Sequence, residues 1–462
     1  MPISPIKKKL LIIGFALTFL YALQLSIPLY TLARFLSIYF DNKEIVYVYL
    51  ITAILGIYTI NIYNKFLSRY HNYATASTII FINIMSLLIM AFVSNAIIVG
   101  FYSVLYMVLT SLLAVSVNLY IQEFSEHHDV GMVRGINLIL TALALISGLY
   151  ISKVLLLLNI DIPHIQTTYG VLYIATAILL IPMLWLINHY YKHIDEPTYR
   201  GGHMWRVLSQ LHRNKDLYGV FMANLSLQVF ITIMIIYFVN YLMDYGHVLL
   251  SDYVGILMPL ALLPFIFLPY AIGSLSDRKY GEKEFMIWGL IIMSASAFAI
   301  PIVAHFSDMW MIELNNYINK LNSSVKLLLE PLYLNNIKSN AVALNNLISN
   351  PGNQSQLANM QDMIYRKILL AWTAVLVIGR VGSSILETAS NSYFYKKISK
   401  KDSDIISLFN NTSSFGMLIG GVLAMVGFYI NRQMGINYAI FILAGAFCLC
   451  SIYYVSKIED TL

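Results

Sequence analysis

The sequence has 462 residues, of which 59% are hydrophobic and 11% are charged, and its net charge is +6. A soluble domain carries about a quarter charged residues, so an aqueous fold cannot bury this much apolar sequence and most of it must face lipid. The basic residues lie in short loops between apolar runs, as membrane orientation requires, which argues against a nucleic-acid partner.

Twelve apolar runs are long enough to cross a membrane, which takes about 20 residues per helix. They lie near 10–36, 45–66, 73–94, 96–122, 133–158, 167–190, 217–243, 252–272, 284–306, 366–395, 405–430 and 435–456. The first run is longer than the roughly 7–15 apolar residues of a cleavable signal, so we interpret it as a first transmembrane helix. The sequence therefore predicts an all-α membrane protein with twelve transmembrane helices.

The basic residues of the loops predict the orientation of these helices. One set of loops holds Lys7 to Lys9, Lys65, Arg69, Arg134, Lys192, Arg200, Arg206, Arg213, Lys215, Arg278, Lys279, Lys283, Lys396, Lys397, Lys400, Lys401 and Lys457. The other short loops hold little more than Arg34, Lys43 and Arg432. Since basic loops stay in the cytoplasm, we expect both termini there, in a multi-pass protein of the plasma (inner) membrane.

The predicted spans divide into two halves of six. The N-terminal half covers 1–190, a cytoplasmic linker covers 191–216, and the C-terminal half covers 217–462. An outer-side insertion rich in Asn and Leu lies at about 307–365, with possible short helices around Glu313–Leu329 and Ala341–Leu347.

The two halves resemble each other as parallel transporter repeats do. A shift of 208 positions places Leu67 and Ser68 on Leu275 and Ser276. A shift of 273 positions gives the pairs Asn118–Asn391, Tyr120–Tyr393, Asp129–Asp402, Asn137–Asn410 and Gly148–Gly421. The difference between the shifts is close to the length of the insertion, which favours a pair of pseudo-repeats.

The loop between the eighth and ninth spans reads Gly273-Ser-Leu275-Ser-Asp277-Arg278-Lys-Tyr-Gly281-Glu-Lys283. Asp277 is suited to cap the positive N-terminus of another helix, and Gly273 to let a neighbouring helix approach closely. Arg278 and Lys283 balance the charge at the cytoplasmic surface. The loop resembles the signature loop of the major facilitator superfamily, and the resemblance extends over essentially the whole chain.

Two further segments resemble that family, and one departs from it. The segments are Asp129 with Arg134 and Gly135 after the fourth span, and Gly416, Gly420 and Gly421 as a packing face of the eleventh helix. The first copy of the signature loop has Arg69 where the family has Asp. Asp277, with Gly273, Arg278, Gly281, Lys283 and Arg134, is therefore the expected gating motif.

The family resemblance implies a central cavity lined by the first, fourth, seventh and tenth helices. In the tenth span, Arg380, Ser384, Glu387 and Asn391 recur at helical spacing and share one face. Arg380 and Glu387 are separated by about 10 Å of helical rise, which suits bracketing a solute or a water chain. The alternative is a structural pair bridged by Ser384.

Weaker candidates for solute contacts are the polar residues of the first and seventh spans, namely Tyr21, Gln24, Asn224, Gln228, Tyr237 and Asn240. Hydrogen bonding between helices is the slightly favoured interpretation for each of them.

These features predict a secondary transporter whose halves rock to expose the solute alternately to each side. The sequence has no phosphate-binding loop, so an ion gradient, expected to be protons, is the predicted energy source, and no cofactor or metal is predicted. Glu387 is the expected proton site, because burial favours the neutral form of a carboxyl group. Efflux of small organic compounds and uptake of a small organic anion held by Arg380 both fit.

The alternative function is a non-transporting receptor or scaffold of the same fold, with the insertion as its docking surface. Enzyme activity is not expected, because the spans carry no His, Cys or carboxylate cluster with catalytic spacing. The expected partners are a small-molecule solute and the lipid bilayer, and the expected state is a monomer.

Overall fold

The computed structural model describes residues 5–124, 130–158, 168–192, 211, 213–276, 281–321, 351–397, 408–409 and 412–459. All regular secondary structure in these ranges is helical. In chain order the helices are α1 (Pro5–Leu29), α2 (Leu32–Leu36), α3 (Asn42–Phe92), α4 (Ala96–Phe124), α5 (Val130–Leu158), α6 (Thr168–Leu186), α7 (Lys215–Asp244), the broken helix α8, α9 (Gly281–Leu321), α10 (Pro351–Lys397), α11 (Thr412–Met434) and α12 (Ala439–Val455).

Helix α8 consists of several short pieces. These are Leu250–Asp252, a π-helical turn at Tyr253–Leu257, Met258–Leu262 and Pro264–Leu275. Proline has no backbone N–H to donate and its ring crowds the preceding turn, so Pro259 and Pro264 account for the interruptions.

Helix α3 contains two of the predicted spans. Its backbone breaks at His71, where φ is 62° and ψ is 163°. This conformation is uncommon for a residue with a side chain and ends one helical segment before the next begins. The break falls between the apolar runs predicted at 45–66 and 73–94.

Ten helices of the described residues are long and apolar enough to cross a membrane. The first segment of α3 and the 17-residue α12 are not among these ten. The prediction of an all-helical, multi-pass membrane protein is therefore confirmed.

The N-terminal helices pack mainly on one another, as do the C-terminal helices. Helix α1 packs against α4, α5 and α6, and α3 packs against α4 and α6. In the C-terminal part, α9 packs against α10 and α12, and α7 packs against α10, α11 and α12. The two sets meet where α3 contacts α11, α5 contacts α8, and α2 contacts α7.

The two ends of the predicted insertion continue the long helices on either side of it. Helix α9 continues for 41 residues to Leu321, and α10 begins at Pro351 and runs for 47 residues. The ends of the predicted 307–365 segment thus extend these two helices, and the short helix expected at Glu313–Leu329 begins as part of α9. A helix that leaves the membrane no longer needs apolar residues, and the Asp362–Arg366 pair at 2.7 Å stabilises one such extension. The helix predicted at Ala341–Leu347 lies outside the described residues.

Glycines bring pairs of helices into close contact. A Cβ atom at Gly382 of α10 would lie 2.8 Å from the carbonyl oxygen of Gly289 in α9, and one at Gly148 of α5 would lie 2.8 Å from the carbonyl oxygen of Leu23 in α1. Small residues let membrane helices approach this closely, and packing of this kind drives their association.

We expect Gly382→Leu to lower the unfolding temperature of the detergent-solubilised protein, because the added side chain collides with the backbone of α9. Overpacking of this kind costs about 1–3 kcal/mol. Gly273→Ala is the matched control, since no described atom lies within 4 Å of a Cβ at Gly273. An unchanged unfolding temperature in Gly382→Leu would contradict the α9–α10 packing.

Candidate functional site

The four polar residues predicted on one face of α10 differ in exposure along the helix. Arg380 is 5% exposed and Ser384 is fully buried, whereas Glu387 and Asn391 are half-buried. We use the loop charges to name the two ends of the bundle, so that α10 runs from the outer end to the inner end. The polar face is therefore closed around Arg380 and more open towards the inner end.

Arg380 lies between helices from both parts of the chain. Its guanidinium interacts electrostatically with Tyr30, which follows α1, and with Tyr253 of α8. The rings of Tyr30 and Tyr253 meet edge to face, with 6.4 Å between their centroids. Both tyrosines are buried, and sequence reasoning did not identify either of them.

Ser384 and Glu387 have different roles on this face. The Ser384 hydroxyl donates to the carbonyl oxygen of Pro264 at 3.3 Å, so it joins α10 to α8 rather than bridging Arg380 and Glu387. Glu387 interacts electrostatically with Arg380, and no salt bridge joins the two within the described residues. The separation expected from helical rise accounts for this.

The candidates of the first span belong to a polar network between α1, α3 and α4. Tyr106 donates to the Gln24 side-chain oxygen at 3.2 Å, and the Tyr21 hydroxyl donates to the Thr110 carbonyl oxygen at 3.4 Å. Asn83 donates to the Thr110 hydroxyl at 3.4 Å. Hydrogen bonding between helices, the favoured interpretation, therefore applies to Gln24 and Tyr21. The Gln24 side-chain nitrogen is buried and has no hydrogen-bond partner among the described residues.

The candidates of the seventh span are spread along α7. Asn224 donates to Thr412 of α11 at 3.2 Å, which again is a bond between helices. Gln228 is half-buried beside Gly416. Tyr237 and Asn240 line a separate cavity of about 400 Å³ at the outer end, which also includes Asp244. The structure thus does not bring all the α7 candidates to one place.

The signature loop is only partly described. Asp277 and Arg278 lie outside the described residues, as does the side chain of Arg134. Gly281 is buried with φ of 69°, a conformation that favours glycine, and Lys283 is half-buried. The expectation that Gly273 permits close helix approach is wrong for the described residues, since the space around it is open.

Glu282, within the signature loop, is a buried carboxylate that sequence reasoning missed. Its side chain is 0% exposed and lies 2.5 Å from the Lys396 ammonium, and the Ser392 hydroxyl donates to it at 3.1 Å. The ion pair joins the start of α9 to the end of α10. A carboxylate in a loop between membrane helices is normally solvated, so no direct signal in the sequence indicated that Glu282 is buried.

A second ionic cluster lies at the same inner end. Asp216 at the start of α7 pairs with Lys397 at 3.0 Å and accepts from the backbone N–H of Glu459 at 3.0 Å. The Tyr393 hydroxyl donates to the carbonyl oxygen of Glu459 at 2.6 Å. These contacts tie α7, α10 and the residues after α12 into one unit.

Charged residues also join the two parts of the chain at the outer end. Arg34 of α2 lies 3.5 Å from Asp244 at the end of α7. The methylene chain of Lys153 in α5 packs against Gly255 of α8, where an added Cβ would lie 2.8 Å from Lys153 Cε. The methylene chain of Lys153 thus joins α5 to α8.

The described residues contain no group of three or more His, Cys, Asp or Glu side chains placed to hold a metal ion. Cys448 is buried and Cys450 is exposed, and both are free thiols.

No protein-family model and no curated protein matches the sequence. The fold is similar to solved structures of transporters. A crystal structure of the nucleoside transporter NupG has a TM-score of 0.63 and 12% identity, covering 97% of this chain and 100% of that chain. A mutant of NupG has a TM-score of 0.63 and 13% identity, covering 97% and 99%.

A bacterial homolog to the human lysosomal transporter Spinster, in an inward-facing and unoccupied conformation, has a TM-score of 0.59 and 9% identity, covering 98% of this chain and 95% of that chain. The ten long apolar helices of the described residues and the shared fold are those of a multi-pass membrane protein. The chain shares the fold of these transporter structures over nearly its whole length. At these identities the likeness establishes the fold, and function has to be argued from the site.

We expect Glu282→Ala to lower the unfolding temperature of the purified protein, because Lys396 and Ser392 lose the acceptor that they share. A hydrogen bond to a charged group contributes about 1.5–3 kcal/mol. Glu284→Ala, which alters an exposed carboxylate two residues away, is the matched control. Equal unfolding temperatures for the two variants would show that the buried ion pair contributes nothing to stability.

Proposed function

We propose that this chain is a secondary active transporter that moves a small solute across a membrane by alternating access. The observation that carries the proposal is Arg380 of α10, a charged residue that is 5% exposed and interacts electrostatically with the buried Tyr30 and Tyr253. Ionisable residues in a membrane interior are costly, and by default they mark a functional site. The fold likeness to structures described as transporters supports the same class of function.

The proposal includes twelve membrane-spanning helices with both termini in the cytoplasm. The two spans beyond the ten long apolar helices are the first segment of α3 and the helix α12. A spanning helix can be as short as about 17 residues, the length of α12. Each half, 1–190 and 217–462, then contributes six spans, and the alternation of basic and non-basic loops supports the orientation.

We infer that the described conformation is closed at the outer end. Three contacts between the halves lie there: the Arg34–Asp244 ion pair, the packing of α2 on α7, and Lys153 against Gly255. Along the polar face of α10, Arg380 and Ser384 are buried, whereas Glu387 and Asn391 nearer the inner end are half-buried. A solute would therefore enter or leave this state from the cytoplasmic side.

Glu387 is the proposed proton site. It is a half-buried carboxyl group on the face of α10 that carries Arg380, and the two side chains interact electrostatically. A proton on Glu387 leaves the positive charge of Arg380 uncompensated, whereas ionised Glu387 compensates it. Protonation of Glu387 and occupation of the site by a solute are thereby linked.

We expect Glu387→Gln to abolish proton movement driven by a transported solute, because glutamine cannot exchange a proton. The measurement is proton flux in liposomes that contain the purified protein and a pH-sensitive dye. They are challenged with sugars, amino acids, organic anions and lipophilic cations.

Asp362→Asn is the matched control, because it removes an exposed carboxylate from the same helix. Retained proton coupling in Glu387→Gln would remove Glu387 from the mechanism. If the folded wild-type protein moves neither solute nor proton in any mixture, the receptor or scaffold function replaces the transporter proposal.

A further inference from the structure

Two hydrogen-bond donors in the seam between the halves lack an acceptor among the described residues. The Arg380 Nη2 atom and the Tyr253 hydroxyl are both buried and have no hydrogen-bond partner among the described residues. Arg380 is 5% exposed and Tyr253 is 0% exposed. Most buried polar atoms have a partner, so two unpartnered donors in one cluster indicate a missing acceptor.

A second hydroxyl, that of Tyr30, completes this cluster. Tyr30, 2% exposed, interacts electrostatically with both Arg380 and Tyr253, and its ring meets that of Tyr253 edge to face. The three side chains come from α10, from α8 and from the turn that follows α1, so both halves of the protein contribute. We call Arg380, Tyr30 and Tyr253 the seam cluster.

No carboxylate of the described residues forms a salt bridge with Arg380. Asp252, next to Tyr253 in sequence, accepts a hydrogen bond from Tyr365. Glu387 lies two helical turns along α10 and interacts with Arg380 only at longer range. An arginine whose charge is not directly paired is costly in a membrane interior, and an anion beside it would offset that cost.

We propose that the seam cluster binds the anionic group of the transported solute, and that this group is a monoanion such as a carboxylate. Arg380 supplies one positive charge, and Tyr30 and Tyr253 supply hydroxyl donors; a carboxylate accepts several such bonds. This inference rests on the proposed transport function and specifies its substrate class. Phosphate dianions and cations fit less well, because each would leave net charge in the buried cluster.

The inferred subsite connects anion binding to protonation of Glu387. With Glu387 ionised, the pair with Arg380 is neutral; with Glu387 protonated, the site carries one positive charge and attracts a monoanion. Of the charged groups around Glu387 in the described residues, Arg380 is the one that interacts with it; Arg380 also faces Tyr30 and Tyr253. The anion should therefore bind more tightly at mildly acidic pH than at neutral pH.

The test measures binding to the purified protein directly. Binding is detected by titration calorimetry and by the shift in unfolding temperature. The probes are the sodium salts of acetate, lactate, benzoate, succinate and phosphate, with glycerol and tetramethylammonium as uncharged and cationic comparators. We expect one or more of the monocarboxylates to bind, and to bind more tightly at mildly acidic pH.

Three variants assign that binding to the seam cluster. Tyr253→Phe removes one hydroxyl and keeps the ring, and should weaken binding about ten- to hundredfold, the effect of losing a hydrogen bond to a charged group. Arg380→Gln should abolish binding. Tyr173→Phe is the matched control, since Tyr173 of α6 is also 0% exposed with an unpartnered hydroxyl, and its affinity should be unchanged.

The outcomes separate this inference from the transport proposal. The anion subsite is overturned if no monocarboxylate binds to folded protein, if glycerol or tetramethylammonium binds instead, or if Arg380→Gln binds as tightly as the wild type. Transport of an uncharged or cationic solute would then still support the proposal that the chain is a transporter. Binding that depends on Arg380 without any flux would support the subsite and contradict transport.

Discussion

Arg380 carries a permanent positive charge into the interior of a helix bundle, and only 5% of the residue is exposed. Moving such a charge out of water costs several kcal/mol, even after relaxation of its surroundings. The neighbouring residues reflect this constraint, since the guanidinium interacts electrostatically with two buried tyrosines and with a carboxyl group further along the same helix. In the proposed mechanism, either ionised Glu387 or a bound anion compensates this charge, so solute binding and protonation are coupled.

Arg380 lies where the two halves of the protein meet, so its contacts affect how the halves can move relative to each other. Tyr30 belongs to the N-terminal part, whereas Arg380 and Tyr253 belong to the C-terminal part, so their contacts hold the halves together towards the outer end. Close glycine contacts and ionic clusters, such as that of Asp216 and Lys397, stiffen the C-terminal part internally. Rigid halves that share a few breakable contacts at one end can rock about the site between them.

Much of this fold could be predicted because the length of an apolar run and the charge of a loop are properties of consecutive residues, which the sequence gives directly. The polar face of α10 also follows from sequence, since Arg380, Ser384 and Glu387 recur at helical spacing. The seam cluster could not be found in this way, because Tyr30 and Tyr253 meet Arg380 only through the breaks after α1 and within α8. Glu282 was missed and Gly273 misjudged for a related reason: which loop residues become buried depends on tertiary packing.

The most direct test of the account measures both ends of the bundle together by double electron–electron resonance. After replacement of Cys448 and Cys450, one spin-label pair occupies the exposed outer positions Ile97 and Met434, and a second occupies the inner positions Tyr70 and Tyr453. If the protein works by alternating access, a change of pH or the addition of a solute that binds lengthens the distance at one end and shortens the distance at the other. Fixed distances at both ends under every condition would contradict alternating access.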